Sequence, residues 1–200
     1  MRGATRRSAL LVAVVVAALF STALAAGAAT RHFGYHKVRE GLPNGLAHFS
    51  LTSTDLVAGK PIPQQPFWGC DGTTESPQLS WGGAPGATQS YAVTIFDVDA
   101  PTGSGFWHWV AWDLPSTTTS LPRNAVLPAG AVNGENDGGG LGYTGPCPPE
   151  GDRTHHYHIR VVALDVPSLE LDASTHAAVV GFVVGTHAIA SAEFTATAQQ

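Results

Sequence analysis

The run from Ser90 to Trp109 constrains this chain more than any other stretch. Tyr91, Val93 and Ile95 alternate with Ala92, Thr94 and Phe96, the two-residue period of a β-strand predicted over Ser90 to Val98. The strand runs into Asp97-Val98-Asp99-Ala100-Pro101 and a glycine-bearing turn. Phe106-Trp107-His108-Trp109 then starts a second strand, which Pro115 ends after Leu114. In extended geometry Asp97 and Asp99 share a face and Val98 points away. Two carboxylates on one face beside a proline do not suit an apolar core. His108 is expected beside Asp97, with Trp107 and Trp109 both on the opposite face of its strand. A neighbouring carboxylate favours the protonated form of such a histidine. Acids and a histidine at the open ends of adjacent strands predict a polar pocket with apolar walls. Asp97 is the candidate for ligand contact. Asp99, with Pro101, is the candidate for holding the turn.

The beginning of the chain has a different character. Arg2, Arg6 and Arg7 precede eleven apolar residues from Leu10 to Phe20, and Ala23-Leu24-Ala25 has the small-x-small form of a cleavage site. Residues 1–25 therefore read as a secretory signal peptide, by the general route or the twin-arginine route that Thr5-Arg6-Arg7-Ser8 partly matches. The apolar run is short for a bilayer span. Residues 26–48 are expected to be a flexible lead-in, and 49–200 a single domain. Without the leader, seven basic residues face fifteen acidic ones, a net charge of −8. That balance argues against a nucleic-acid partner.

Cys70 and Cys147 remain in the exported part, each in a Gly/Pro-rich loop. Export permits a disulfide between them, worth about 4 kcal/mol across so long an interval. Two buried free thiols are the alternative. Further strands are predicted at Phe49–Leu56, Leu79–Trp81 and His156–Leu164, the last with Arg160 turned to solvent. The Gly-rich loop 133–151 is long for a compact domain, and such loops are often functional. From Asp172 the spacing turns weakly helical and predicts two short helices split near Gly185-Thr186, the second from His187 to Glu193. Strands in Gly/Pro-rich loops followed by late helices predict a mainly β domain, naturally a sandwich.

His155, His156 and His158 suggest a metal cluster at first sight. Alternation places His155 and Tyr157 on one face and His156 and His158 on the other, so they do not converge as zinc ligands do. No metal and no cofactor is expected. No Gly-x-Ser-x-Gly elbow marks a hydrolase nucleophile. The triple glycine Gly138–Gly140 lacks the lysine and hydroxyl of a phosphate loop. Gly145-Pro146-Cys147-Pro148-Pro149 is a stiff segment suited to the wall of a preformed pocket.

Taken together, these segments resemble the phosphatidylethanolamine-binding protein family, also called Raf kinase inhibitor-like proteins, and within it the bacterial YbhB/YbcL branch. The resemblance rests on Cys70-Asp71-Gly72, Ser76-Pro77-Gln78-Leu79-Ser80-Trp81, Asp97 to Pro101 and Phe106 to Trp109. Asn136-Asp137-Gly138, Gly142-Tyr143, Gly145 to Pro149 and His155-His156-Tyr157 complete it, in that order along the chain. It implies a β-sandwich of two antiparallel sheets with short C-terminal helices and a small anion pocket at one end. By matching position, Asp97, His108, His155 and Tyr157 are the implied ligand-binding residues, with Pro146 and Pro148 on the rim. His156 stands where the family often has arginine. Ala196-Thr197-Ala198-Gln199-Gln200 replaces the usual glycine-x-tyrosine-x-arginine ending, which implies an altered cover over the pocket.

Three functions follow as expectations. The first is a secreted, non-enzymatic binding protein for a phosphorylated small molecule or phospholipid headgroup, in which Asp97 orients His108. The second is a protein-interaction module that inhibits a protease or signalling enzyme. The third is a weak hydrolase using Asp97 and His108.

Overall fold

The computed structural model describes residues 41–71 and 74–200. The expected signal peptide, most of the expected lead-in, and Gly72 of the Asp71-Gly72 turn lie outside the described residues. In chain order the elements are β1 (Ala47–His48), β2 (Ser50–Thr52), a kinked turn α1 (Gln64–Phe67), β3 (Leu79–Gly82), β4 (Ser90–Asp97) and β5 (Phe106–Pro115). Then come β6 (Ser120–Leu121), β7 (Val132–Asn133), β8 (His155–Leu164), α2 (Ala177–His187) and β9 (Ala188–Ala198).

The strands form a six-stranded sheet in the order β1-β9-β8-β4-β5-β7 and a three-stranded sheet in the order β2-β3-β6. Neighbours are antiparallel except β1, which lies parallel to β9 at the edge. The predicted mainly β, two-sheet architecture with a helical segment near the C-terminus is therefore present.

Alternation explains how β4 sits at the centre. Tyr91, Val93 and Ile95 face the small sheet, packing with Leu79, Trp81 and Leu121. Ala92 faces the other way, with Val110, Trp112 and Val162, against Val180 and Val184 of α2. Both faces are covered, so all eight residues of β4 are buried. Each large apolar side chain removed from water in these two layers contributes about 2 kcal/mol.

Covering the second face also removes the solvent expected at Arg160. Its side chain is mostly buried and its Nε donates to Glu193 Oε2 of β9 at 2.5 Å. The single strand expected over Phe49–Leu56 is divided. Strand structure starts earlier, at Ala47; β1 joins the large sheet and β2 the small one, with the Phe49 amide donating to Ser191 O between them.

The helix expected over His187–Glu193 is instead the first half of β9. Helix α2 stops at His187, where Nδ1 meets Asp165 Oδ1 at 2.9 Å and the Asp165 amide donates to the His187 carbonyl. From there Ala188 to Ala198 pairs with β8 along its whole length, opposite Leu164 to His155. Cross-strand hydrogen bonds outweigh a weak helical spacing in an alanine-rich segment.

Candidate ligand-binding site

The end of the large sheet where β4 stops and β8 starts carries a cavity of about 260 Å³. Asp97, His108, His155 and Tyr157 line it, with Phe106, Pro101, Thr144, Gly145, Cys147, Pro148 and Pro149. Strand parity delivers the first group. Asp97 continues the inward face of Val93 and Ile95 and lies opposite Tyr157 of β8 in the ladder. His155 precedes Tyr157 on the same face.

His108 reaches the cavity by a different device. A register irregularity sets Trp109 opposite Ile95 but Trp107 opposite Phe96, leaving His108 as the extra residue of a bulge. Trp107 packs on the α2 side, while Trp109 lies in the core between the sheets. The two tryptophans therefore flank His108 from opposite faces, not from the one face that simple alternation implies. Trp109 also donates its indole N–H to Asn133 Oδ1 at 2.8 Å.

The loop 133–151 is fastened along the start of β5. The Trp107 amide donates to Asp137 Oδ2, and the Asp137 amide donates to Trp107 O. The Thr144 amide then donates to His108 O. Buried Asn136 closes the loop on itself, accepting from the Gly138 amide and donating to Gly142 O. The rim beyond it lies against the turn after α1. A side chain at Gly145 would place its Cβ 2.0 Å from Phe67 O, so only glycine permits this approach. Pro146 does not line the cavity as expected of a rim residue. It is buried behind the wall, its carbonyl accepting from the Gly69 amide at 2.9 Å, while Pro148 does face the cavity. The Cys70 and Cys147 sulfurs are at bonding distance, 2.18 Å, and tie the two walls together.

The electrostatics reverse the expected roles of the two histidines. Asp97 pairs with His155, not His108: His155 Nδ1 lies 2.7 Å from Asp97 Oδ2, and its Nε2 lies 3.2 Å from Asp152 Oδ2. Both carboxylates can accept only if the ring carries both protons. Burial alone opposes the imidazolium, but the hydrogen bonds and charges of Asp97 and Asp152 outweigh it and raise the His155 pKa above the usual histidine range. Asp152 is held below the usual carboxylate range. Its own burial works against that, and the Arg153 amide and His155 prevail.

His108, by contrast, is pushed below the usual histidine range by burial, against the opposing pull of Thr144 O, Asp97 and Asp137. Its Nδ1–H donates to Thr144 O at 2.9 Å. The Gly145 carbonyl also faces this ring. Tyr157 is buried completely, its pKa raised by burial and by Asp97. Its hydroxyl lies near that carboxylate but completes no hydrogen bond to it or to any other described residue.

Asp99 stands apart from the cavity. Its Oδ2 accepts from the His156 amide at 2.8 Å and meets His156 Nδ1, and its Oδ1 pairs with Arg153. The Asp99 amide in turn donates to Asp97 Oδ1 at 2.8 Å. Pro101, in the same turn, also lines the cavity. His158 turns to the opposite face and meets Glu193. Asp152 is the residue that sequence reasoning missed. Its only signal is an acid three positions before His155, inside a loop otherwise read for its prolines. Thr144 acts through its backbone carbonyl and leaves no sequence signal.

Residues 52–199 match the family model described as phosphatidylethanolamine-binding protein. The protein YbcL of Escherichia coli K12 is 42% identical over 158 residues, 74% of this chain and 86% of that protein. YbhB of the same organism is 42% identical over 154 residues, 73% of this chain and 97% of YbhB. The crystal structure of E. coli YbcL superposes with a TM-score of 0.72 at 40% identity, covering 77% of this chain and 99% of that one.

Proposed function

This chain belongs to the phosphatidylethanolamine-binding protein family, and from that premise we propose that its cavity binds a phosphate-bearing small molecule or phospholipid headgroup without turning it over. Membership carries a general ligand-binding role. The observation that points to this cavity is the Tyr157 hydroxyl, a fully buried polar group on the cavity wall with no hydrogen-bond partner among the described residues. Buried polar atoms are nearly always paired, and one left open in a cavity suits a ligand. The His108 ring lies beside it on the cavity wall, the two rings 5.1 Å apart between centroids.

Binding suits the site better than hydrolysis. Asp97 is committed to His155, and among the described residues the His108 ring is oriented by the Thr144 carbonyl and not by a hydrogen-bonded acid. The Thr102 hydroxyl on the wall is committed to Gly105 O. Export belongs to the same proposal. It is supported by the Arg2, Arg6 and Arg7 start and the apolar run after it, and by a cysteine pair that suits an oxidising compartment.

The test is calorimetric titration of the protein with O-phosphoethanolamine. His108→Ala and Tyr157→Phe are each expected to weaken binding about tenfold, one lost hydrogen bond's worth. Urea unfolding of Tyr157→Phe, read beside the titration, separates loss of a ligand contact from loss of the hydroxyl's interaction with Asp97. Equal affinity in parent and both variants overturns the assignment.

A further inference from the structure

The disulfide lies where the cavity wall has few other ties. Gly69 and Cys147 both line the cavity, and Cys70 follows Gly69 directly. The bond between Cys70 and Cys147 therefore joins the segment after α1 to the rim Gly145–Pro149 at the cavity itself. Among the described residues two hydrogen bonds cross the same seam. The Gly69 amide donates to Pro146 O at 2.9 Å, and the Tyr143 hydroxyl donates to Phe67 O at 3.1 Å. Pro146, Pro148 and Pro149 have no N–H with which to add more. Backbone ties at the ends of the rim, the Thr144 amide on His108 O and the Asp152 amide on Pro149 O, leave its middle to this seam.

Hydrogen bonds exchange readily with water, whereas the S–S bond opens only by chemistry. Cys70 and Cys147 are both exposed to solvent, so a thiolate can reach the bridge. Exposed disulfides are the labile and regulatory kind, in contrast to bridges shut inside a core.

We propose that this bridge is a redox latch on the cavity, an inference that rests on the phosphate-pocket reading above. Oxidised, it holds the wall in the ligand-binding arrangement; opened by a dithiol, it releases the rim and weakens binding. A thiolate of the dithiol attacks one bridge sulfur and displaces the other cysteine. The second thiol of the dithiol then breaks the mixed disulfide. Two electrons and two protons pass to Cys70 and Cys147, which end as thiols, and the dithiol ends as its own disulfide. A wall fixed beforehand costs less to order on binding, so the oxidised form is the tighter binder. Reciprocity then requires the ligand to make the bridge harder to reduce.

Calorimetric titration with O-phosphoethanolamine compares the oxidised protein with the same protein in excess dithiothreitol. Binding is expected to weaken about tenfold on reduction. The same factor lowers the reduction potential of the bridge by about 30 mV at saturating ligand, measured by equilibration in dithiol–disulfide buffers. Amide hydrogen exchange separates a freed wall from a failing fold. On reduction the Gly69 amide is expected to lose at least ~10-fold in protection relative to the β4 amides.

Equal affinity in the two states, or a potential that ligand does not move, overturns the latch and leaves the phosphate-pocket reading standing. A Gly69 amide that loses no more protection than the β4 amides, or β4 amides that lose all of theirs, also overturns it, because the bridge then serves the whole fold. No binding to the oxidised protein overturns both.

Discussion

The clamp on His155 makes Asp152→Asn the most informative single change. His155 is buried between two carboxylates, with the shorter contact to Asp97 at 2.7 Å and the longer to Asp152 at 3.2 Å. A hydrogen bond to a charged group contributes roughly 1.5–3 kcal/mol, and the longer, weaker contact belongs at the lower end. Asparagine keeps the shape and an acceptor oxygen but removes the charge, so the expected loss is about 1.5 kcal/mol near neutral pH.

The pH dependence carries the sharper signature. The folded-state pKa of His155 is raised, so its contribution is fully present below the ordinary histidine pKa and is lost as pH rises through the folded value. Asp152, whose folded pKa is lowered, contributes above the ordinary carboxylate pKa and loses that contribution as pH falls through its folded value. In the variant the alkaline loss moves to lower pH and the acid loss due to Asp152 disappears. Urea unfolding between pH 3 and 10, read beside the NMR titration of the His155 ring, measures both. If the His155 titration and the alkaline stability limb are the same in parent and variant, Asp152 does not hold the imidazolium, and the charge assignment of the cavity fails.

Two further outcomes are expected. Replacing Cys70 and Cys147 by serine, or reducing the bridge, lowers stability by about 4 kcal/mol because the 77-residue interval is no longer closed in the unfolded chain. Identical urea midpoints for oxidised and reduced protein contradict this. Mature protein recovered from an export-competent host is expected to begin at Ala26 by N-terminal sequencing; recovery of Met1 on the exported chain argues against the leader.

The family resemblance implied the meeting of Asp97 with His155 and Tyr157, whereas the strand expected over Ser90–Val98, observed over Ser90–Asp97, and the shared face of His155 and Tyr157 were legible in the alternation itself. They depend on a two-residue period, which is local and stereochemical. The approach of Cys70 and Cys147 and the fixed path of Gly145 to Pro149 were anticipated from residue types whose conformational limits travel with them. Other features have no local cause. The bulge that turns both His108 and Trp109 inward is set by which residue of β5 faces Ile95. The extended course of Ala188–Ala198 is set by the hydrogen-bonding edge of β8.

Protonation was decided last and at the longest range. In sequence His108 stands near the acids Asp97 and Asp99, and proximity suggested a charged His108. Tertiary structure instead delivers Asp97 and Asp152 to His155 and surrounds His108 with carbonyls and aromatic rings. Sequence by itself determined that His155 and Tyr157 share a face of their strand and that acids end its neighbour. Only the folded chain decided which imidazole is charged, because that depends on distances of a few ångströms between strands far apart in the chain and on how completely each ring is removed from water.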